Sequence, residues 1–348
     1  MYQKQITDRE AGQRFDKYLH KLLPEAGSSF LYKMLRKKNI TLNGKKADGG
    51  EKLTSGDQVE IFFSEETLAK FMGSAADDEY TAAYQKCKGI TVLYENGHIL
   101  LADKPAGVLT QKAKWDDVSL NEWLIGYLLA KGEVTRMDLQ TFKPSVCNRL
   151  DRNTSGIVLC AKTVAGAQLL GGLLQDRTLH KYYQLYVKGK MQEERQIEGV
   201  LVKDGRTNRV TVKRLTKGTE AAHEDTDAQK ESYICTRYRP LSVCGDKTLL
   251  EVELLTGKPH QIRAHLASIG HPLLGDYKYG DARWNDEYKR SCQVRAQLLH
   301  AYKVVFPRLE EPFGDISEKT FLSPLPEVFA RVQGQEADRA KGTGRAEN

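Results

Sequence analysis

Asp151 stands in the run Cys147-Asn148-Arg149-Leu150-Asp151-Arg152-Asn153-Thr154-Ser155-Gly156, the most chemically pointed stretch of the chain. One carboxylate has an arginine two residues before it and another directly after it. Cationic neighbours favour the ionised form of a carboxylate, and that is the state a carboxylate nucleophile needs. Arginine also pairs readily with phosphate oxygens, so one short loop can hold both a nucleophile and an anchor for nucleic acid. Taken alone, so short a pattern favours a plain Arg–Asp–Arg ion pair at the mouth of a turn. The apolar run Ile157-Val158-Leu159-Cys160-Ala161 follows at once and reads as a buried strand.

Four further segments shift that balance. Ile99-Leu100-Leu101-Ala102-Asp103-Lys104-Pro105-Ala106-Gly107-Val108 is a buried strand ending in a Lys-Pro-x-Gly turn. Arg177-x-x-x-Lys181-x-Tyr183 leads into a strand that ends at Val187-Lys188-Gly189. Leu255-Thr256-Gly257-Lys258-Pro259-His260-Gln261-Ile262-Arg263-Ala264-His265-Leu266 enters a helix at Pro259, where proline suits a first helical position. Gly270-His271-Pro272-Leu273-Leu274-Gly275-Asp276-x-x-Tyr279-Gly280 follows directly. His260, His265 and His271 do not give the H-E-x-x-H spacing, and cysteine or acidic ligands near them are sparse. They read as helix-packing or RNA-contact residues, so no metal is expected. With no Walker A run and no G-x-G-x-x-G turn, no cofactor is expected either.

The elements that must position these residues are those of an α+β domain with a mixed, largely antiparallel sheet. Strands are expected at 90–94, 99–102, 156–161, 182–187, 198–203, 209–213, 232–237 and 247–254, and helices at 119–130, 164–175 and 259–269. Residues 1–63 form a separate small unit. Phe15, Leu19, Leu22 and Leu23 follow helical spacing up to the break at Pro24. Ser28 or Ser29 can cap a second helix running from Phe30 to Lys38. Asn43-Gly44 between two alternating segments is a strong hairpin signal, and a last strand starts after Gly56-Asp57. Residues 64–88 are acidic and lack a sustained apolar period, which reads as a linker with at most one helical turn. Residues 89–332 form the larger domain, 217–230 a polar loop within it, and 333–348 a disordered tail.

The formal net charge of +7 permits a polyanionic partner without requiring one. Its placement says more: Lys33, Arg36, Lys37 and Lys38 lie on one helix and Lys45 and Lys46 on the hairpin, a surface suited to a phosphate backbone. The six cysteines contain no C-x-x-C pair, and several adjoin apolar runs, which reads as buried thiols in a reducing cytoplasm. No stretch approaches about 18 consecutive apolar residues, and no signal peptide or membrane span is expected.

Asp151 in its loop and the four segments around it, in this order across roughly residues 89–307, resemble the RluA-type family of RNA pseudouridine synthases. Residues 12–63 resemble the alpha-L RNA-binding module through Arg14-x-Asp16-x-x-Leu19, the basic second helix, Asn43-Gly44-Lys45 and Gly56-Asp57. The resemblance implies a pseudouridine-synthase fold acting on RNA, and large-subunit ribosomal RNA above all, since relatives with that target often carry the module. It also implies roles. Asp151 is the essential carboxylate, Arg263 its basic partner in a bidentate pair, and Tyr183 the aromatic that packs on uracil and helps remove its proton. Arg149 fills the space left when the target nucleotide leaves its stack. Arg152, with Lys33, Arg36, Lys37, Lys38 and Lys45, is expected to meet RNA. Lys104 is expected to fix its loop or meet phosphate, outside the catalytic set.

Two positions depart from the common family pattern. Asn148 stands where His is frequent, and Lys258-Pro259 replaces an Arg-Thr pair. A transfer-RNA target is the alternative within the enzyme class, and a non-catalytic RNA-binding or ribosome-assembly factor the alternative outside it. Asp151, Tyr183 and Arg263 together favour the enzyme, because a pure binder has no chemical need for all three. The protein is expected to act as a monomer.

Overall fold

A computed structural model describes residues 1–72, 78–203, 210–214 and 231–334. The polar loop expected at 217–230 and the tail beyond residue 334 lie outside the described residues. The chain forms two compact units. The first comprises Met1–Ala102, Val108–Arg149 and Val158–Leu173; the second comprises Asp103–Gly107, Leu150–Ile157 and Leu174–Asn348.

The first unit begins with a four-stranded sheet under two helices. The elements are β1 (Tyr2–Gln5), α1 (Phe15–Leu22), α2 (Ser28–Arg36), β2 (Ile40–Leu42), β3 (Lys45–Lys46) and β4 (Gln58–Ile61), with sheet order β1-β4-β2-β3. Phe15 and Leu19 of α1, Leu31 and Leu35 of α2, and Val59 and Ile61 of β4 close a core from which water is excluded. Asn43 and Gly44 both take positive φ, 53° and 70°, and so make the tight two-residue hairpin between β2 and β3. Gly27, not a serine, stands at the cap of α2; Ser28 and Ser29 are its first two helical residues, with no side-chain cap bond.

Residues 64–88 differ from the expected linker. They hold α3 (Glu65–Phe71) and α4 (Asp78–Lys86). Phe71 lies 4.8 Å from Phe30 and 6.5 Å from Phe63, centroid to centroid, so α3 packs against the small sheet-and-helix core. Its apolar residues are too few to show a period, and packing against that core overrides the acidic composition.

β5 (Thr91–Glu95), β6 (Ile99–Lys104), α5 (Leu120–Ala130), α6 (Asp138–Thr141), β7 (Ser145–Val146), β8 (Ser155–Ala161) and α7 (Val164–Gln175) follow. Here β8 neighbours β6, which neighbours β5, and β7 pairs the end of β8. A buried polar knot ties β1 and the turn after it to α6. The Glu10 carboxylate takes the Lys4 ammonium at 2.8 Å, the Thr7 hydroxyl at 2.9 Å and a short bond from the Thr141 hydroxyl. Asn148, the residue departing from the family pattern, accepts the Leu159 N–H at 2.7 Å and so holds β8.

In the second unit the strands are β9 (His180–Lys188), β10 (Arg195–Lys203), β11 (Val210–Arg214), β12 (Glu231–Cys244), β13 (Lys247–Leu254), β14 (Leu299–Val305) and β15 (Thr320–Leu322). Their order is β11-β10-β12-β13-β9-β14, antiparallel throughout, with β15 also on β14. The first residues of β8 join β14 in parallel at His300↔Ser155 and Ala301↔Gly156. This parallel step makes the sheet mixed. Two helices cover it, α8 (Gln261–Ser268) and α9 (Ala282–Cys292). α9 places Trp284, Tyr288 and Cys292 on one stripe against Tyr186, Leu274 and Phe329. α8 begins two residues later than expected, because His260 before it takes a left-handed φ of 56°.

Candidate active site

Asp151 opens a β-turn in the second unit, closed by the Thr154 N–H on the Asp151 carbonyl at 3.0 Å. The turn is braced from the Lys-Pro-x-Gly segment. Arg152 O accepts the Gly107 N–H at 2.9 Å and the Lys104 ammonium at 3.1 Å, and Lys104 also reaches Pro105 O at 3.1 Å. Lys104 is fully buried, and burial pushes its pKa down to about 8 against the opposing charges of Asp151 and Asp103. Lys104 thus fixes the loop. Gly156, which ends the motif, has φ +109°, and a Cβ there would sit 2.2 Å from the Ala301 carbonyl oxygen. Only glycine lets β8 reach β14 at this point.

Arg263 reaches Asp151 from the first turn of α8, with Nη1 donating to Oδ2 at 2.8 Å. The expected bidentate pair is made with a different carboxylate. Arg263 Nε and Nη2 donate to Asp276 Oδ2 and Oδ1 at 2.7 and 3.0 Å, leaving a single bond for Asp151. The reason is orientation: a fork can be saturated by one carboxylate only, and Asp276 is the fully buried one. Asp276 Oδ1 also accepts the Lys278 and Tyr279 N–H groups at 2.9 and 3.1 Å. Burial alone would raise the Asp276 pKa; the guanidinium and these donors outweigh it and hold the carboxyl below its usual range. Its backbone is pinned by Asn285 of α9, which donates to Asp276 O at 3.0 Å and accepts from Gly275 N–H at 2.7 Å. A Cβ on Gly275, at φ +79°, would lie 2.1 Å from Ala296 O. From Asn285 to Asp276 to Arg263 to Asp151, each group is held by the one behind it.

The Asp151 side chain keeps 27% of its surface exposed while Arg263 keeps 8% and Asp276 none. A substrate can therefore reach the carboxylate, and solvent cannot reach the clamp. His260 approaches the other face, Nε2 to Asp151 Oδ1 at 4.0 Å, with Nδ1 on the Tyr279 hydroxyl at 2.8 Å. Burial lowers the His260 pKa, against the pull of Asp151. The other two histidines pack: His265 meets Thr236 Oγ1 at 3.1 Å and His271 meets Lys188 O at 2.9 Å. Among the described residues no cluster could hold a metal ion, and no helix is long and apolar enough to cross a membrane.

Tyr183 is buried in β9, and burial, reinforced by the Asp151 charge, raises its pKa strongly. Its hydroxyl makes no hydrogen bond among the described residues. Tyr182 and Tyr186 are engaged elsewhere, the first under the Lys303 ammonium at 3.9 Å and the second against Phe329. Arg149 and Arg152 are exposed, as are Lys33, Arg36, Lys37, Lys38 and Lys45. The residues that sequence reasoning left without a role are Asp276, Asn285 and Tyr279; His260, read there as a helix-packing or RNA-contact residue, stands beside Asp151. A signal for Asp276 existed: a buried guanidinium needs carboxylate partners, and Asp276 is the one acid in the segment following Arg263.

A mixed sheet carrying a part-exposed aspartate clamped by a buried arginine, with a tyrosine beside it, defines a site built around one carboxylate. The RNA pseudouridylate synthase family profile matches residues 98–268. A Mycoplasma pneumoniae protein described as an uncharacterized RNA pseudouridine synthase is 30% identical over 324 residues, 92% of this chain and 94% of that one. Ribosomal large subunit pseudouridine synthase D of Nitrosomonas europaea is 28% identical over 334 residues, 94% of this chain and 85% of that one. Among solved structures, Human RNA Pseudouridylate Synthase Domain Containing 4 shares the fold, with a TM-score of 0.55 at 18% identity over 75% of this chain and 97% of that one. The chain belongs to the RluA-type RNA pseudouridine synthase family. It is an isomerase that acts on uridine in RNA.

Proposed function

We propose that the protein isomerises specific uridines of large-subunit ribosomal RNA, with Asp151 as the essential carboxylate on a nucleotide turned out of its stack. One observation carries the assignment of Asp151. It is an accessible carboxylate at 2.8 Å from a buried guanidinium whose Nε and Nη2 are held by Asp276. Arg263 orients Asp151 without covering it. The ribosomal target rests on the names of relatives such as the Nitrosomonas europaea enzyme and on the exposed cations of α2 and the β2–β3 hairpin.

The reaction breaks the bond from the sugar C1′ to N1 of uracil and forms one from C1′ to C5. C5 gives up its proton and N1 ends protonated, so no redox change and no net water are involved. Asp151 promotes the cleavage. Tyr183 stacks on the detached base, an interaction worth roughly 1–3 kcal/mol, and its hydroxyl assists removal of the C5 proton. Arg149 enters the space left in the RNA stack, which its planar guanidinium suits. Mapping pseudouridines in ribosomal and transfer RNA from a deletion strain against its parent tests this reading. Sites lost from the large-subunit RNA are expected; sites lost only from transfer RNA would move the target, and no lost site would remove it.

A further inference from the structure

We infer that Arg177 and Lys181 form a binding site for a backbone phosphate of the substrate RNA, next to the Tyr183 base platform. The inference rests on the reading of Tyr183 given above. Side chains alternate along a strand, so Lys181 and Tyr183 of β9 share one face, two residues or roughly 6.6 Å apart at about 3.3 Å per residue. That is about the distance between the base and the phosphate of one nucleotide, within reach of a lysine stem.

Charge accounting on the two faces of the sheet supplies the reason. On the Tyr182 face four described cations have carboxylates. His180 and Arg237 meet Glu253 at 2.7 and 2.9 Å, and Arg239 and Lys303 meet Glu251 at 2.6 and 3.1 Å. On the Tyr183 face β13 presents Val252, which is fully buried and carries no charge. Lys181 there is part-buried, and its charged neighbour is another cation, Arg177. Neither side chain makes a hydrogen bond or ion pair among the described residues. Arg177 also holds a left-handed φ of 59°, an unusual conformation for a residue that is not glycine. Burial and the Arg177 charge both disfavour the charged form of Lys181. The part-buried Lys181 and the exposed Arg177 bring two like charges together with no anionic partner among the described residues, and an anion that arrives with the substrate stabilises them. For an enzyme acting on RNA that anion is a phosphodiester.

The test compares wild type with Lys181→Met, Lys181→Arg and Arg177→Gln on a structured RNA substrate, recording affinity across a salt series, turnover at saturating RNA and thermal midpoint. Lys181→Met is expected to bind on the order of tenfold more weakly and to lose about one unit of the log–log salt slope. Its thermal midpoint is expected to rise, because an uncompensated charge has been removed. Lys181→Arg is expected to keep both affinity and slope, and Arg177→Gln to lose part of each. An affinity and salt slope unchanged in Lys181→Met would overturn the phosphate site, whatever its thermal midpoint. If wild type itself forms no pseudouridine, the proposed reaction fails instead, while the binding comparison still judges the site.

Discussion

Replacing Asp276 with Asn removes one charge from the clamp and changes almost nothing in shape, so its effects report on the clamp alone. One amide oxygen can still accept from Lys278 N–H and Tyr279 N–H, as Oδ1 does at 2.9 and 3.1 Å. The amide nitrogen must then face Arg263 Nε, a donor against a donor, where a 2.7 Å charge-assisted bond now stands. Taking one partner from a buried ion pair costs about 3–5 kcal/mol. The surviving Asp151–Arg263 bond and the retained acceptor place the expected loss near the lower end, about 3 kcal/mol, and the thermal midpoint should fall by several degrees. Arg263 is then free to swing toward Asp151. A misplacement of about 1 Å at a reacting group costs on the order of a hundredfold in rate, so turnover at saturating RNA should fall by about that factor while RNA affinity changes little. The pH dependence has a definite sign. The folded pKa of Asp276 is depressed, so its contribution is fully present above the unfolded Asp value of about 4. It is lost as pH falls through the folded value, so the stability gap between wild type and Asp276→Asn should be constant near neutrality and narrow below about pH 4. Unfolding curves and single-turnover rates of the purified variant check this. A variant with wild-type turnover would refute the idea that Asp276 sets the geometry of Asp151.

Tyr183→Phe should slow isomerisation more than binding, since the ring still stacks; equal single-turnover rates would deny the hydroxyl a part in the chemistry. Activity should persist in chelator without any added nucleotide cofactor, and a loss reversed by zinc or magnesium, with RNA folding controlled, would contradict the expectation of a metal-independent reaction. Glutamine at Lys33, Arg36, Lys37 and Lys38 together should weaken binding to large folded RNA and flatten its salt slope, with turnover of saturating short RNA nearly unchanged; an unaltered slope would mark those residues as a solvated face only. The folded pKa of Lys104, about 8, lies below the 10.5 of the free side chain, so its charge costs stability below pH 8. That cost should fade between about pH 8 and 10.5, narrowing any advantage of Lys104→Met over wild type in that window; parallel stability–pH curves would count against a buried cation.

The sequence made strands with continuous apolar runs or clear alternation easy to place, and β8, β9, β10 and β13 stand within a few residues of where the pattern puts them. Elements whose reason is tertiary were hidden. α3 is acidic and is helical because Phe71 finds Phe30 and Phe63. β12 continues past the expected end at residue 237, through Pro240, because a register shift there lets β13 keep pairing. α9 is mostly polar, and its stripe of Trp284, Tyr288 and Cys292 is narrow enough to pass for surface. In the site, Asp151, Arg263 and Tyr183 were legible from the motifs that contain them, and the structure places the first two in direct contact. The division of labour within the clamp was not. Whether Arg263 gives its fork to Asp151 or Asp276 depends on how α8 and the turn at Gly275 meet, and nothing in residue spacing specifies that.

The central claim, that Asp151 is the group on which isomerisation depends, is tested most directly by release of tritium from RNA labelled at C5 of uridine. Isomerisation expels the C5 proton, so each turnover frees one label, and binding frees none. Wild type is expected to release label from large-subunit ribosomal RNA, and Asp151→Asn to release none while binding that RNA within a few-fold of wild type. Sustained release by Asp151→Asn would contradict the account.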